Sequence, residues 1–195
     1  LANGYEIIPI KPGTQRPPFD KWEDIRADRR KLERWLEAGR ADNGVGILAR
    51  KTPLVDIDCR DPEIGEKMVA FTERLLGPSL QRVGMAPKTG LVYRTDEPFR
   101  KVNSKTFIDP ANPTDDNGKA LGQKLEVLGD GQQFVAFAIH PDTDKPYRWL
   151  DKQGPHDTEW RNLPEITREQ AEEIAVEFER LATEAGWEVK RGSAL

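Results

Sequence analysis

Apolar residues fall in short runs bounded by Pro, Gly and Asp, the pattern of strands, and three stretches interrupt them with helical spacing. Strands are expected over residues 5–10, 45–49, 54–58, 91–94, 124–128 and 133–139. The runs 45–49 and 54–58 flank a Lys51-Thr52-Pro53 turn and are expected to form the centre of a sheet. Asp28 is placed to cap a short helix with Leu32, Trp35 and Leu36 on its inner face and Gly39 just past its end. Asp61 followed by Pro62 opens a second helix that runs to about Gly77, its apolar stripe being Ile64, Met68, Phe71 and Leu75. A third begins at a Thr167/Gln170 capping box with an Ile166/Ala171 staple. Its stripe is Ala171, Ile174, Ala175, Phe178, Leu181, Ala182 and Ala185, and Gly186 ends it. Residues 95–121 lose the pattern, and a mobile surface loop is expected there. The fold class is α+β, with strands dominating the middle.

The 195 residues suit one compact unit with a sizeable core. At 33% charged residues and a mean hydropathy of -0.72 the surface is wet, but five Trp and seven Phe supply anchors that a disordered chain lacks. No apolar run is long enough to span a membrane. A single cysteine rules out an intrachain disulfide framework, and two histidines cannot build a Cys/His zinc site. A reducing cytoplasm is the expected location. The first residue is Leu1 rather than Met, as expected of a piece of a longer protein. A formal charge of -4 argues against wrapping by nucleic acid. Much of that charge is local, because seven glutamates lie between Glu165 and Glu184.

The densest chemistry is Val55-Asp56-Ile57-Asp58. In a strand Asp56 and Asp58 share one face, with their backbones roughly 6.5 Å apart. Such a pair suits hard divalent ions, and it also occurs as a solvated strand end or a turn cap. Glu126 alternates with Leu125 and Val127; should its strand neighbour that of Asp56, the three carboxylates form a compact metal cradle. Basic residues cluster at Arg26, Arg29, Arg30, Lys31, Arg34 and Arg40, and again at Arg100, Lys101 and Lys105, either as a path for a nucleic-acid strand or as solvated surface. Cys59 is expected on the apolar face of its strand as a core residue, and His156 stands in a polar loop.

A longer ordered series follows. Gly129-Asp130-Gly131 precedes an apolar strand that ends at His140-Pro141, and Tyr147-Arg148-Trp149 comes next. Upstream lie Pro9-Ile10, Arg16-Pro17, Trp22, the Trp35 helix, an Asn43-Gly44-Val45-Gly46 turn and Asp56-Ile57-Asp58. Over residues 4–165 this order resembles the N-terminal domain of the bifunctional DNA primase/polymerases of phages and plasmids, in the archaeo-eukaryotic primase superfamily. The resemblance implies an antiparallel or mixed sheet like that of an RNA-recognition motif, with flanking helices. It implies a catalytic domain over residues 1–165 and a C-terminal helical segment, 166–195, packed on it or leading out. Two Mg2+ or Mn2+ ions held by Asp56, Asp58 and Glu126 are implied, as are nucleoside triphosphates, a single-stranded DNA template or primer, and a helicase domain or protein as partners. The host cytoplasm is then the location of a phage-encoded copy.

One departure stands out. The family places a His on a strand between its acidic motifs, and residues 82–94 contain none. The expected substitutes are Lys88, Thr89 and Gly90, read as a turn whose backbone N–H groups hold phosphates, with Arg82 or Arg94 assisting; the alternative is an ordinary hairpin turn. His140 is a nucleotide-site residue by the resemblance and a structural hydrogen-bonding residue without it. The leading expectation is template-dependent nucleotidyl transfer for primer synthesis or extension. The alternative is a catalytically idle module that binds nucleotide or origin DNA, and a phosphodiesterase lacks further metal ligands.

Overall fold

The computed structural model describes residues 2–40, 44–115 and 118–190. In chain order the elements are β1 (Ile7–Ile10), α1 (Arg29–Glu37), β2 (Gly44–Leu48), β3 (Leu54–Asp58), α2 (Pro62–Leu76), β4 (Leu80–Val83), β5 (Thr89–Val92), β6 (Val102–Asn103), β7 (Phe107–Ile108), β8 (Gly122–Leu128), β9 (Gln133–Phe137), β10 (Ile139–His140), β11 (Lys145–Pro146), β12 (Arg148–Trp149), α3 (Arg168–Glu184) and β13 (Glu188–Val189). The fold is α+β. A large sheet runs β12-β4-β5-β3-β8-β7-β13, with β6 also on β8. A small sheet runs β1-β2-β9, and β10 and β11 form a separate hairpin.

The alternation within β3 sets the layers. Val55 and Ile57 point to one side, where Leu91, Leu125 and Val127 join Ile64 and Met68 of α2 and Ile174, Phe178 and Ala182 of α3 in the main core. Leu54 points to the other side and packs with Leu80 and Val92 against Ile47, Phe134 and Ala136 of the small sheet. The small sheet's outer face carries Ile8, Ile10, Leu48 and Val135, covered by Tyr147, Phe19, Trp22 and Ile25. Helices, large sheet, small sheet and an N-terminal layer are thus stacked in that order. The helix starts follow the sequence closely: Asp28, Asp61 and Thr167 each accept a hydrogen bond from the backbone N–H three residues on.

Several expectations need correction. Strands β2 and β3 do not pair but lie in different sheets, and β3 alone is central to the large one. Gly44, Val45 and Gly46 lie in β2 rather than in a turn, and Asn43 is outside the described residues, as are residues 191–195 of the C-terminal segment. The strand expected over 91–94 begins earlier, at Thr89, and the one expected over 133–139 is broken at Ala138. Part of the 95–121 excursion is sheet, since β6 and β7 pair with β8 and bury Phe107. Leu36 and Ala185, expected on buried stripes, are exposed, because α1 lies on the rim and Ala185 is already the C-cap of α3.

Phe178 is fully buried, with Phe107 and Trp187 edge-on to it at 6.2 and 6.5 Å. Phe178→Ala should cost about 3–5 kcal/mol in urea unfolding. A loss below about 1 kcal/mol would show that α3 is not part of the main core.

Candidate active site

The small sheet covers only part of the large one. It seals Leu54, but further along the same face of β3 Asp56 and Asp58 line a cavity of about 300 Å³ between the sheets. Asp56 stands opposite Glu126 of β8 on one side and Gly90 of β5 on the other, and Asp58 stands opposite Lys124. The three carboxylates named from the sequence therefore share one face of neighbouring strands. Across the cavity lie Gln133 and Val135 of β9, His140 of β10, Tyr147 and Gln15.

Each carboxylate has a cation. Lys88 Nζ is 2.5 Å from Asp58 Oδ1, and Arg82 Nη2 is 3.9 Å from Asp56 Oδ1. Glu126 receives Lys101 Nζ at 2.9 Å and Lys124 Nζ at 2.8 Å. Burial pushes the Asp56 carboxyl up to about 6; Arg82 and Lys124 oppose this, whereas Asp58 and Glu126 add to it. Burial acts in the same direction on Glu126, but hydrogen bonds from Lys124 and Lys101 outweigh it and hold that carboxyl below its ordinary range.

Arg82 ties the sheets together. Its side chain is buried, one guanidinium N–H donates to the Val135 carbonyl oxygen of the small sheet, and the guanidinium lies over the Tyr147 and Phe134 rings at 4.9 and 5.5 Å. Gln15 Nε2 donates to the Tyr147 hydroxyl at 2.6 Å. The Tyr147 ring in turn packs against His140, with centroids 5.2 Å apart. His140 Nδ1 accepts the Asp142 backbone N–H at 3.1 Å, which leaves the proton of the neutral ring on Nε2. Burial pulls the His140 imidazole down from its ordinary value, Asp142 opposes, and Arg82 and Lys88 add to the drop. Gly84 makes this packing possible, since a Cβ there would come within 2.5 Å of Tyr147 and 2.8 Å of His140.

The phosphate-binding turn expected at Lys88, Thr89 and Gly90 is not formed. Thr89 and Gly90 belong to β5, between β3 and β4, where Gly90 pairs with both Asp56 and Arg82. The Thr89 hydroxyl is engaged with the Arg82 carbonyl and the Gln81 amide, and a Cβ on Gly90 would meet Leu54 at 2.9 Å. Gly90 thus lets Leu54 pack closely, and Lys88 is the member of the trio that offers a charge to the cavity. The two basic clusters also separate. Arg29, Arg30 and Arg34 lie on α1, with Arg29 paired to Glu33, and Lys105 is held by Glu179, away from the cavity lining. Lys101 joins the site through Glu126.

Gln15, Gly84, Lys124, Gln133 and Asp142 were not singled out from the sequence. Lys124 had a usable signal in its period-2 spacing from Glu126, whereas Gln15 reaches the cavity only through the long N-terminal loop. Cys59 is buried in the main core, as its alternation implies. Among the described residues, no group of three His, Cys, Asp or Glu side chains is arranged to hold a metal ion. Asp56 and Asp58 do fit one in kind, as adjacent oxygen donors on the cavity wall, although Asp58 Oδ1 is paired with Lys88. Glu126 is paired with both Lys101 and Lys124.

The family model described as bifunctional DNA primase/polymerase, N-terminal, matches residues 1–166. No curated protein matches the chain.

A raised Asp56 pKa means that the folded chain holds a proton the unfolded chain releases between about pH 4 and 6, so stability falls as the pH rises through that window. Asp56→Asn removes the ionisation. Because a third of the side chain still meets solvent, the gain at about pH 7.5 should be roughly 1–2 kcal/mol in thermal melts, shrinking towards zero near pH 4. Equal stability of the two proteins at about pH 7.5 would contradict the raised value.

Proposed function

The chain belongs to the bifunctional DNA primase/polymerase family, and on that premise we propose that its inter-sheet cleft carries out template-directed nucleotidyl transfer from (d)NTPs to a 3'-hydroxyl, for primer synthesis or extension in phage or plasmid replication. The observation that carries this reading is the pairing of Asp56 and Asp58 on the wall of a polar cavity that also presents Arg82 and Lys88, each beside one of the two carboxylates. Asp56 and Asp58 would hold two Mg2+ or Mn2+ ions, with Glu126 as the third carboxylate. Such ions, when bound, supply Lewis-acid polarisation of the triphosphate and lower the pKa of the attacking hydroxyl. Lys88 lines the cavity and contacts the triphosphate, as does His140 through its Nε2–H. Arg82, held between two rings and a carbonyl, keeps Asp56 in place rather than reaching a phosphate.

The template enters along a second groove, lined by Lys11, Thr14, Arg16 and Phe19, that shares Gln15 and Asp142 with the cavity. Its two cations stand beside Asp20 and Asp142 and suit weak, sequence-tolerant contacts to a single strand, and Arg29, Arg30 and Arg34 add positive charge on α1, whose Trp35 stacks on Phe19 of the groove.

An idle nucleotide- or origin-binding module is the second reading, and the observation in its favour is the engagement of Glu126 by two lysines. A gel assay with triphosphates, single-stranded template and Mn2+, with and without primer, separates the two. The wild-type protein should make product, and Asp56→Asn with Asp58→Asn should lower it roughly a hundredfold or more. No wild-type product under either condition would favour the idle module, and full activity of the double variant would remove the cleft from the chemistry. Lys11→Ala with Arg16→Ala should weaken single-strand binding and flatten its salt dependence, by about one unit of log–log slope for each lost contact, in fluorescence anisotropy. An unchanged slope would place the template elsewhere.

A further inference from the structure

The buried Tyr147 ring lies 4.9 Å from the Arg82 guanidinium and 5.2 Å from the His140 ring, in the space that Gly84 leaves. Its hydroxyl is held from outside the two sheets, by the Gln15 Nε2 amide at 2.6 Å. Gln15 is exposed, yet it is aimed with care. Residues 11–16 form a turn closed on itself: the Lys11 N–H donates to the Arg16 carbonyl at 2.8 Å, and the Thr14 hydroxyl and N–H both donate to the Lys11 carbonyl. The Arg16 N–H donates to the Thr14 hydroxyl at 3.1 Å, and Gly13, with a φ of 66°, supplies the left-handed step. Gln133 Nε2 on β9 donates to the Gln15 carbonyl at 2.7 Å, which pins the turn to the small sheet.

We infer that Gln15 is a positioning residue for the cleft, setting the Tyr147 ring and, through it, the Arg82 guanidinium beside Asp56 and the His140 imidazole. The inference rests on reading the cleft as a nucleotidyl-transfer site, and it adds a residue that acts without touching the reacting groups. Its physical basis is directional. Contacts to a ring face resist tilting only weakly, whereas a hydrogen bond at the hydroxyl fixes the tip of the ring. Without the Gln15 amide the hydroxyl loses its donor, the ring tilts, and the two groups packed on it follow. Transfer chemistry is sensitive to such shifts, a misplacement of about 1 Å costing up to about a hundredfold in rate.

The test uses the two histidines of the chain. In protein carrying labelled histidine, the NMR signal of His140 reports on the Tyr147 ring, and that of His156, packed on Phe137, serves as the control. Gln15→Met keeps the length of the side chain and removes the amide. It should shift the His140 signal and leave that of His156 in place. In primer extension it should lower kcat about tenfold, with single-strand affinity by fluorescence anisotropy changed by less than about twofold. Tyr147→Phe keeps the ring and removes the hydroxyl, so it should move the His140 signal and kcat in the same directions. The double variant should lose no more than either single one, because both remove the same hydrogen bond. A His140 signal unmoved by Gln15→Met overturns the inference, as do losses that add in the double variant or a loss confined to single-strand affinity. A shifted His140 signal in a protein whose wild type extends no primer overturns the transfer reading and leaves the positioning of the ring intact.

Discussion

Asp56 and Glu126 occupy directly opposed positions on neighbouring strands, with Asp58 one step along the same face, and like charges so placed destabilise a sheet unless cations attend them. The rest of the site answers that constraint. Lys124 comes from the strand of Glu126, Lys101 from the segment that leads into β6, Lys88 from the entry to β5, and Arg82 from β4. Lys124 reaches Glu126 from two residues away on the same strand, whereas Arg82, Lys88 and Lys101 come from elements that antiparallel pairing brings beside their carboxylates. The polar end of β3 would be unaffordable in a closed core; it exists because the small sheet stops short and leaves a wet cleft.

Arg82 links this electrostatic arrangement to the packing. Its guanidinium faces Asp56 from the large sheet, bonds to a carbonyl of the small sheet and lies against two aromatic rings. Tyr147, one of those rings, also packs on His140 and accepts from Gln15, so the far wall of the cavity is fixed by the same cation that stabilises the near wall. Burial disfavours the Arg82 charge and Asp56 restores part of it, which makes the two groups dependent on each other. A change at either is therefore felt across both sheets, and Gly84 is the place where the backbone leaves room for the arrangement.

The legible parts of the chain were those governed by local rules. Helix caps at Asp28, Asp61 and Thr167 depend on a few adjacent residues, and period-2 alternation placed Asp56 and Asp58 together and Cys59 in the core. Alternation also showed that Glu126 has a polar face, but its register against Asp56 is a long-range pairing, for which the sequence offers only order along the chain. Strand β4 escaped notice because a buried arginine interrupts its apolar pattern, and its burial depends on an acceptor and two rings from elsewhere. Thr89 and Gly90 read as a turn because small residues favour turns, whereas here a glycine was needed for close approach to Leu54. The small strands β6, β7 and β13 are two residues each, too short for any periodicity to reveal.

The central claim is that the carboxylate face of β3 within this cleft is where the metal-dependent chemistry takes place. Anomalous diffraction from crystals grown with Mn2+ and a non-hydrolysable triphosphate tests it most directly. The account predicts anomalous density bridging the Asp56 and Asp58 carboxylates, with the phosphates against Lys88 and His140. Manganese density elsewhere, with Asp56 still beside Arg82 and Asp58 still beside Lys88 in the nucleotide complex, would contradict it.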